Sequence, residues 1–386
     1  MARRVFITGA RAAAALDLAR DFAAAGWDVH AADCSPARIM RWSRAATKVH
    51  RYASPVADPP GFQRDVKALL EQLAPDLVLP TCEEVFHLAS PGLAEALAGR
   101  LFAPPLATLR MLHDKHAFAA ACQDWGIAAP ESHLLTRREQ MPEFAAQPGA
   151  WVFKPVFSRF GESTRIGLTS QDILNLNLDG GLPLMSQRRV HGEEVCFYAV
   201  AQAGALTAFA AYRSAWRLGG GASFAFSPVS NTLQAQLKAI ASEIAQNADL
   251  TGQFACDAII DDSGTPWLIE CNPRATSGVH QLAGRGALAR AIADAEPCPD
   301  TPQSETYLGP AIAVFGLPLA MRSGRVAKWR ATMRNGHDAI SRPGDRMPII
   351  GALADAAGFA LSGVKHGIST TSATTSDIEW NGEQLP

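Results

Sequence analysis

Trp267-Leu268-Ile269-Glu270-Cys271-Asn272-Pro273-Arg274 is an apolar, strand-like run broken by one acid and closed by an Asn-Pro-Arg corner. Residues two apart in a strand project from the same face, so Glu270 and Asn272 point together while Cys271 faces the core. An acid inside such a run is costly unless something compensates it. The strand before it, 253–260, carries Asp257. Asp257, Glu270 and Asn272 make a hard oxygen set of the kind that holds Mg²⁺ beside substrate phosphates, with Mn²⁺ as an alternative. Arg274 follows directly, placed to neutralise charge on a phosphoryl group in transfer.

Two lysines lie upstream on separate elements. Lys154 sits in the apolar strand 151–157, where an unpaired ammonium is costly, ahead of the loop Ser158-Arg159-Phe160-Gly161-Glu162-Ser163-Thr164. Lys115 opens a helix expected over 114–125 and stopped by Gly126. Two lysines facing a short loop can clamp phosphates as point charges, with backbone N–H groups completing the cradle. The stretch 187–194 reads as a strand ending in a turn. Its backbone N–H and C=O groups suit a purine edge, and a carboxylate beyond Gly192 can accept two ribose hydroxyls. The stretch Arg213-Ser214-Ala215-Trp216-Arg217-Leu218-Gly219-Gly220-Gly221 is read as leaving a strand to close over an acceptor. Arg213 and Arg217 would offer paired N–H donors to a carboxylate or acyl phosphate. A plain hairpin loop with solvated arginines fits the same letters.

The first hundred residues alternate strands (5–8, 29–32, 77–79) with helices, including an Ala-rich helix ending at Gly26, which implies a parallel doubly wound sheet. The glycine positions of a dinucleotide fingerprint hold Gly9, Arg11 and Ala14. Arg11 puts a long side chain where bare backbone is needed, so a dehydrogenase is discounted. Arg11, at a helix N-terminus, is a candidate anchor for an anionic substrate, with Glu83 as companion.

The whole chain has 386 residues, 48% apolar and 19% charged, with a formal charge of −2. That describes a compact chain of two or three domains, and the lack of basic excess argues against nucleic acid as partner. Seven cysteines without a CxxC pair fit a reduced, cytoplasmic protein. The uncharged stretch 195–212 approaches membrane-span length, but Gln202-Ala203-Gly204 is placed like a turn, so a hairpin is expected instead.

In this order and spacing the residues resemble the ATP-grasp superfamily. The matching segments are Thr8-Gly9-Ala10-Arg11, Pro80-Thr81-Cys82-Glu83-Glu84, Asp114-Lys115, Phe153-Lys154-Pro155, 187–194, Asp257 and 270–274. The resemblance implies a mixed α/β and α+β protein: a pre-ATP-grasp domain (1–112), a lid subdomain (113–185), a metal and nucleotide subdomain (186–300) and a segment without assigned role (301–386). It implies that Lys115, Lys154 and the loop residue Ser163 hold ATP phosphates. Gln187 and the backbone from Arg188 to Val190 would surround adenine, and Glu194 the ribose. Asp257, Glu270 and Asn272 would hold Mg²⁺, and Arg274 would meet the transferred phosphoryl group. The implied activity converts a small carboxylate to an acyl phosphate and joins it to an amine or thiol, releasing ADP and phosphate. Homodimers are common where such folds occur; the sequence itself does not read out the oligomeric state, and neither nucleic acid nor membrane is an expected partner. The alternatives are carboxylase-like use of bicarbonate and an inactive ATP-binding regulatory protein. Two positions depart from the pattern. Gly161 is the single glycine of its loop, and Ala255 stands where D-alanine–D-alanine ligases place a basic residue two before the metal Asp, leaving that work to Arg213 or Arg217.

Overall fold

The computed structural model describes residues 2–159, 163–178, 183–217, 221–299 and 304–386. Gly161 and the Leu218-Gly219-Gly220 part of the acceptor loop lie outside the described residues.

Four short strands, β1 (Arg4–Ile7), β2 (Asp28–Asp33), β3 (Lys48–Arg51) and β4 (Leu77–Leu79), form a parallel sheet in the order β3-β2-β1-β4. Helices cover both faces of such a sheet, so Val5-Phe6-Ile7 reads as an unbroken apolar run and is fully buried. Gly9 turns the chain out of β1 at φ 67°, and a Cβ there would stand 2.6 Å from Thr81 Oγ1. Only glycine therefore lets this turn close on the loop after β4.

The second sheet is antiparallel. Its strands β5 (Ser132–Leu135), β6 (Trp151–Pro155), β7 (Arg165–Ile166) and β8 (Leu184–Arg188) run in the order β5-β8-β6-β7 over Phe144, Trp151, Phe153 and Ile173. The third sheet is built from β9 (Glu193–Gln202), β10 (Ala205–Arg217), β11 (Ser223–Pro228), β12 (Gly252–Ile260), β13 (Pro266–Asn272), β14 (Thr306–Tyr307) and β15 (His337–Asp338). Their order is β13-β12-β9-β10-β11-β14-β15. Strands β9 and β10 join through Ala203 (φ 46°) and Gly204 (φ 75°), the left-handed pair of a tight hairpin. The uncharged stretch 195–212 is thus two paired strands. Helix Asn231–Asn247, capped by Ser230, buries Leu237, Ala241 and Ile244 against Phe197, Phe209, Phe254 and Cys271 on the back of this sheet. At about 2 kcal/mol per buried large side chain, that layer fixes the sheet whose other face carries the chemistry.

Strand β10 continues to Arg217, so Arg213–Arg217 is strand rather than the start of a loop. Residues beyond 300 supply β14 and β15 to the third sheet, then a helix, Pro348–His366, that packs on the short helix Arg38–Arg41. Among the described residues this is the one helix long and apolar enough to cross a membrane by length and composition. The chain ends in a strap. Residues 374–386 lie across the loops at the C-terminal ends of β1, β2 and β4, with Ile378 and Trp380 buried and Trp380 stacked on Phe86 (ring centroids 4.8 Å apart).

Candidate active site

The third sheet presents one row of side chains toward the second. In cross-strand register Glu270 of β13 faces Asp257 of β12, which faces Cys196 of β9, which faces Tyr212 of β10. Directly opposed residues share a face, and Glu270 and Asn272, two apart, share it too. Cys271 points to the core at 2% exposure. A bulge interrupts the ladder: Asp257 pairs with Glu270 but Ala258 pairs with Leu268, which leaves Ile269 over. Bulges free backbone groups and re-aim neighbouring side chains. Here the Ile269 carbonyl accepts a hydrogen bond from Lys154 Nζ at 3.2 Å.

Both lysines converge on these carboxylates although they come from other elements. Asp114 caps its helix by accepting from the His116 and Ala117 amides, which fixes Lys115 in the first turn. Lys115 Nζ, with 3% of its side chain exposed, lies 3.3 Å from Glu270 Oε2 and donates to the Ser158 carbonyl at 2.9 Å. Burial lowers the Lys154 ammonium to about 8, with Glu270 and Asp257 opposing the shift and Lys115 adding to it. Asp257 and Glu270 cannot both ionise freely at such short range. Burial and the Glu270 charge push Asp257 well above the usual carboxylate range. Burial also disfavours the Glu270 anion, but Lys115 and Lys154 outweigh it and hold Glu270 low.

Among the described residues no three His, Cys, Asp or Glu side chains gather to hold a metal ion. The candidate set is two carboxylates and the Asn272 amide. This set fits Mg²⁺, which takes one or two protein carboxylates and keeps phosphate oxygens and waters for its other positions. A divalent cation would also relieve the conflict between the two facing acids.

Arg274 links this group to the N-terminal domain. Its Nη2 donates to Asn272 Oδ1 at 3.2 Å and lies 3.7 Å from Glu83 Oε1. Glu83 is 2% exposed and receives both oxygens' main partner, Arg159, whose Nε lies 2.7 Å from Oε1 and from Oε2. Burial alone would raise the Glu83 carboxyl; Arg159 and Arg274 win and bring it down to about 2. Arg159 in turn donates to the Trp380 carbonyl (2.7 Å) and to Asn381 Oδ1 (2.8 Å) of the strap.

The other sequence-predicted residues fall in three places. Arg11 is not free to anchor an acceptor in this structure. Its guanidinium is bonded to Asp33 (2.6 Å) and to Asp377 of the strap (2.5 Å). Arg213 and Arg217 lie on β10 and pair with acids of β9, Arg213 with Glu193 at 2.5 Å and Arg217 with Glu194. Glu194, expected at the ribose, thus already has a cationic partner. Gln187 is buried on β8 and donates to Ser132 Oγ at 3.1 Å, while Arg188 lies over the Trp151 ring. The amides of Arg188 and Arg189 donate to the Glu131 and Ala150 carbonyls, so Val190 is the remaining backbone donor of the three expected at adenine. Ser163 is an exposed turn residue. Ala255 stands between Asn272 and Tyr198 in register and is buried, with no cation in its place.

Sequence reasoning missed Arg159 and the strap. Arg159 sits in a loop with no periodicity, and only its position four residues after the end of the apolar run 151–155 marked it. The strap offered Ile378 and Trp380 as isolated apolar letters in a polar tail.

A family model for the ATP-grasp domain matches residues 112–278, which include both lysines, the facing carboxylates and Arg274. No curated protein matches the chain in sequence. Among solved structures, the chain is similar to the biotin carboxylase domain of Hydrogenobacter thermophilus 2-oxoglutarate carboxylase, which holds MgADP, ADP and bicarbonate (TM-score 0.62, 14% identity, 78% of this chain and 72% of that one). It is similar to Staphylococcus aureus N5-carboxyaminoimidazole synthetase (TM-score 0.62, 13% identity, 82% and 85%). A third is the L-amino acid ligase of Bacillus licheniformis (TM-score 0.59, 14% identity, 78% and 79%). At these identities the likeness is one of fold.

Proposed function

Residues 112–278 match the ATP-grasp domain, and we propose that this chain is an ADP-forming ligase of the ATP-grasp superfamily that activates a small carboxylate and transfers the acyl group to an amine or thiol. The observation that carries the reading is the meeting of Lys115 and Lys154 with Asp257, Glu270, Asn272 and Arg274 across two sheets. The lysines would bind phosphate oxygens of ATP, Lys115 exchanging its Glu270 contact for phosphate. Asp257, Glu270 and Asn272 would hold Mg²⁺, which when bound screens the charge of the phosphates. Val190 and Gln187 would border the adenine.

The substrate carboxylate oxygen then attacks the γ-phosphorus, the bond to the β-bridging oxygen breaks, and ADP leaves. Arg274 would stabilise the charge on the phosphoryl group during transfer. The amine or thiol adds to the acyl phosphate carbonyl and phosphate departs, so a poor leaving group has been replaced by a good one. Arg213 and Arg217 would reach the acyl phosphate on release from Glu193 and Glu194.

The test is a screen for ADP and phosphate release over amino acids and small carboxylates, singly and in pairs, with AMP assayed in parallel. The reading expects equimolar ADP and phosphate that require both a carboxylate and a nucleophile. AMP and pyrophosphate as the products would overturn it, and bicarbonate alone serving as the carboxylate would turn it into a carboxylase.

A further inference from the structure

Between Asp33 and Asp58 the chain carries Arg38, Arg41, Arg44, Lys48 and Arg51 and no acid, although its formal charge overall is −2. Much of this charge gathers around one exposed ring. The short helix Arg38–Arg41 buries Ile39 and Met40, which turns its two arginines outward. Trp42 follows, 37% exposed, and its indole N–H meets no acceptor among the described residues. The ring is the shared wall of two clefts. One, of about 380 Å³, is lined by Pro36, Arg38, Arg41, Trp42 and Arg51. The other, of about 260 Å³, lies between Trp42, Arg44, Asp345, Arg346 and Met347. Neither shares a residue with the lysine–carboxylate group.

The guanidinium groups of Arg41, Arg44 and Arg346 have no hydrogen-bond or carboxylate partner among the described residues. Arg38 and Arg51 engage Asp355 and the Cys34 carbonyl through one nitrogen each and keep further N–H donors. Asp345 is the one acid on either cleft, and its carboxylate is already taken. It accepts from Arg20 at 2.9 Å, from Ser43 at 2.7 Å and from the Arg44 amide at 3.0 Å. Like charges held together repel, and an anion carrying several charges relieves that repulsion. We propose that the two clefts bind one soluble small molecule with two or more phosphate groups, held by the arginines on either side of Trp42. Guanidinium forks pair with phosphate oxygens two at a time, a geometry that point charges on lysines do not supply. The Trp42 face takes the organic part of the ligand, because a flat indole packs against a ring or an apolar chain. Concave volumes of this order suit a small molecule.

Calorimetric titration of inorganic tripolyphosphate into the full chain, at low ionic strength, tests the proposal. The wild type is expected to show a site that Arg41→Glu with Arg44→Glu weakens by about a hundred-fold or more, the loss of two charged donors. The thermal midpoint of that variant without ligand should be unchanged, because both side chains are exposed and unpaired. Lys67→Glu with Arg100→Glu makes the same change in net charge at two exposed cations elsewhere in the first hundred residues, and should leave the site intact. Lys115→Ala with Lys154→Ala separates this site from the one proposed for ATP. It should remove tripolyphosphate binding at the lysines and keep binding at the arginines, so either site can fail without the other. A wild type with no site dependent on Arg41 and Arg44 would overturn the proposal, as would an equal loss in the Lys67 and Arg100 variant. Binding of phosphatidylserine vesicles through Arg41 and Arg44, with no tripolyphosphate bound there, would overturn it in favour of a lipid surface.

Discussion

On one side of Arg274 lie Lys115, Lys154, Asp257 and Glu270; on the other lie Glu83, Arg159, Arg11 and the terminal strap. Both groups are buried and both are made of ions, yet their partners differ in kind. In the strap group each charge meets a fixed counter-charge of the chain: Arg159 with Glu83, Arg11 with Asp33 and Asp377. In the lysine group the match is poor. One carboxyl is pushed up by burial and by its neighbour, one ammonium is pushed down by burial, and Lys154 donates its hydrogen bond to a bulged carbonyl rather than to a carboxylate. Buried ions that are fully paired hold a fold in one arrangement, whereas ions left in conflict mark a place that a ligand completes.

Substitutions on the two sides should therefore separate activity from stability. Arg274→Ala is expected to have the largest effect, slowing single-turnover ADP formation by about 10²–10³-fold with ATP binding little changed, as for the loss of one transition-state donor. Near-normal turnover would remove Arg274 from the chemistry and leave it as a link to Glu83. Glu83→Gln should act on stability instead, costing about 3 kcal/mol in urea unfolding because Arg159 loses its buried partner.

The same residue carries a pH signature. Its folded value of about 2 lies below the ordinary 4.5, so its stabilisation is complete above about pH 4.5 and is lost as pH falls toward 2. The variant should lose that part of the acid dependence; an unchanged acid profile would show that Glu83 does not hold the strap. Asp377→Asn should have the smallest effect, about 1 kcal/mol, since its carboxylate is partly exposed and Arg11 keeps Asp33. A loss as large as that of Glu83→Gln would make Asp377 the main anchor of the strap.

The contrast also explains what could be read from the letters. Lys154 and Glu270 are legible because each interrupts an apolar run, where a charge without a purpose is costly. Strands 77–79 and 253–260 lie within a residue of the observed bounds because apolar runs between turn signals define them. The two-residue strands β14 and β15 have no period to detect, and they form because β11 offers an edge. Arg11 shows the opposite failure. At a helix N-terminus it looks like an anion anchor, and it is one, but Asp377, 366 residues away, is among the anions it holds. Long-range pairing of that kind leaves no local pattern.

Calorimetric titration of ATP, with and without Mg²⁺, into the wild type and Glu270→Gln tests the central claim most directly. The account predicts that Mg²⁺ tightens ATP binding to the wild type by at least about ten-fold, the gain of one well-placed ionic contact. In Glu270→Gln that gain should vanish, while metal-free ATP binds as well as before or better, because a negative charge has left the neighbourhood of the two lysines. Equal Mg²⁺ dependence in the two proteins would contradict it and place the metal, and with it the chemistry, elsewhere in the molecule.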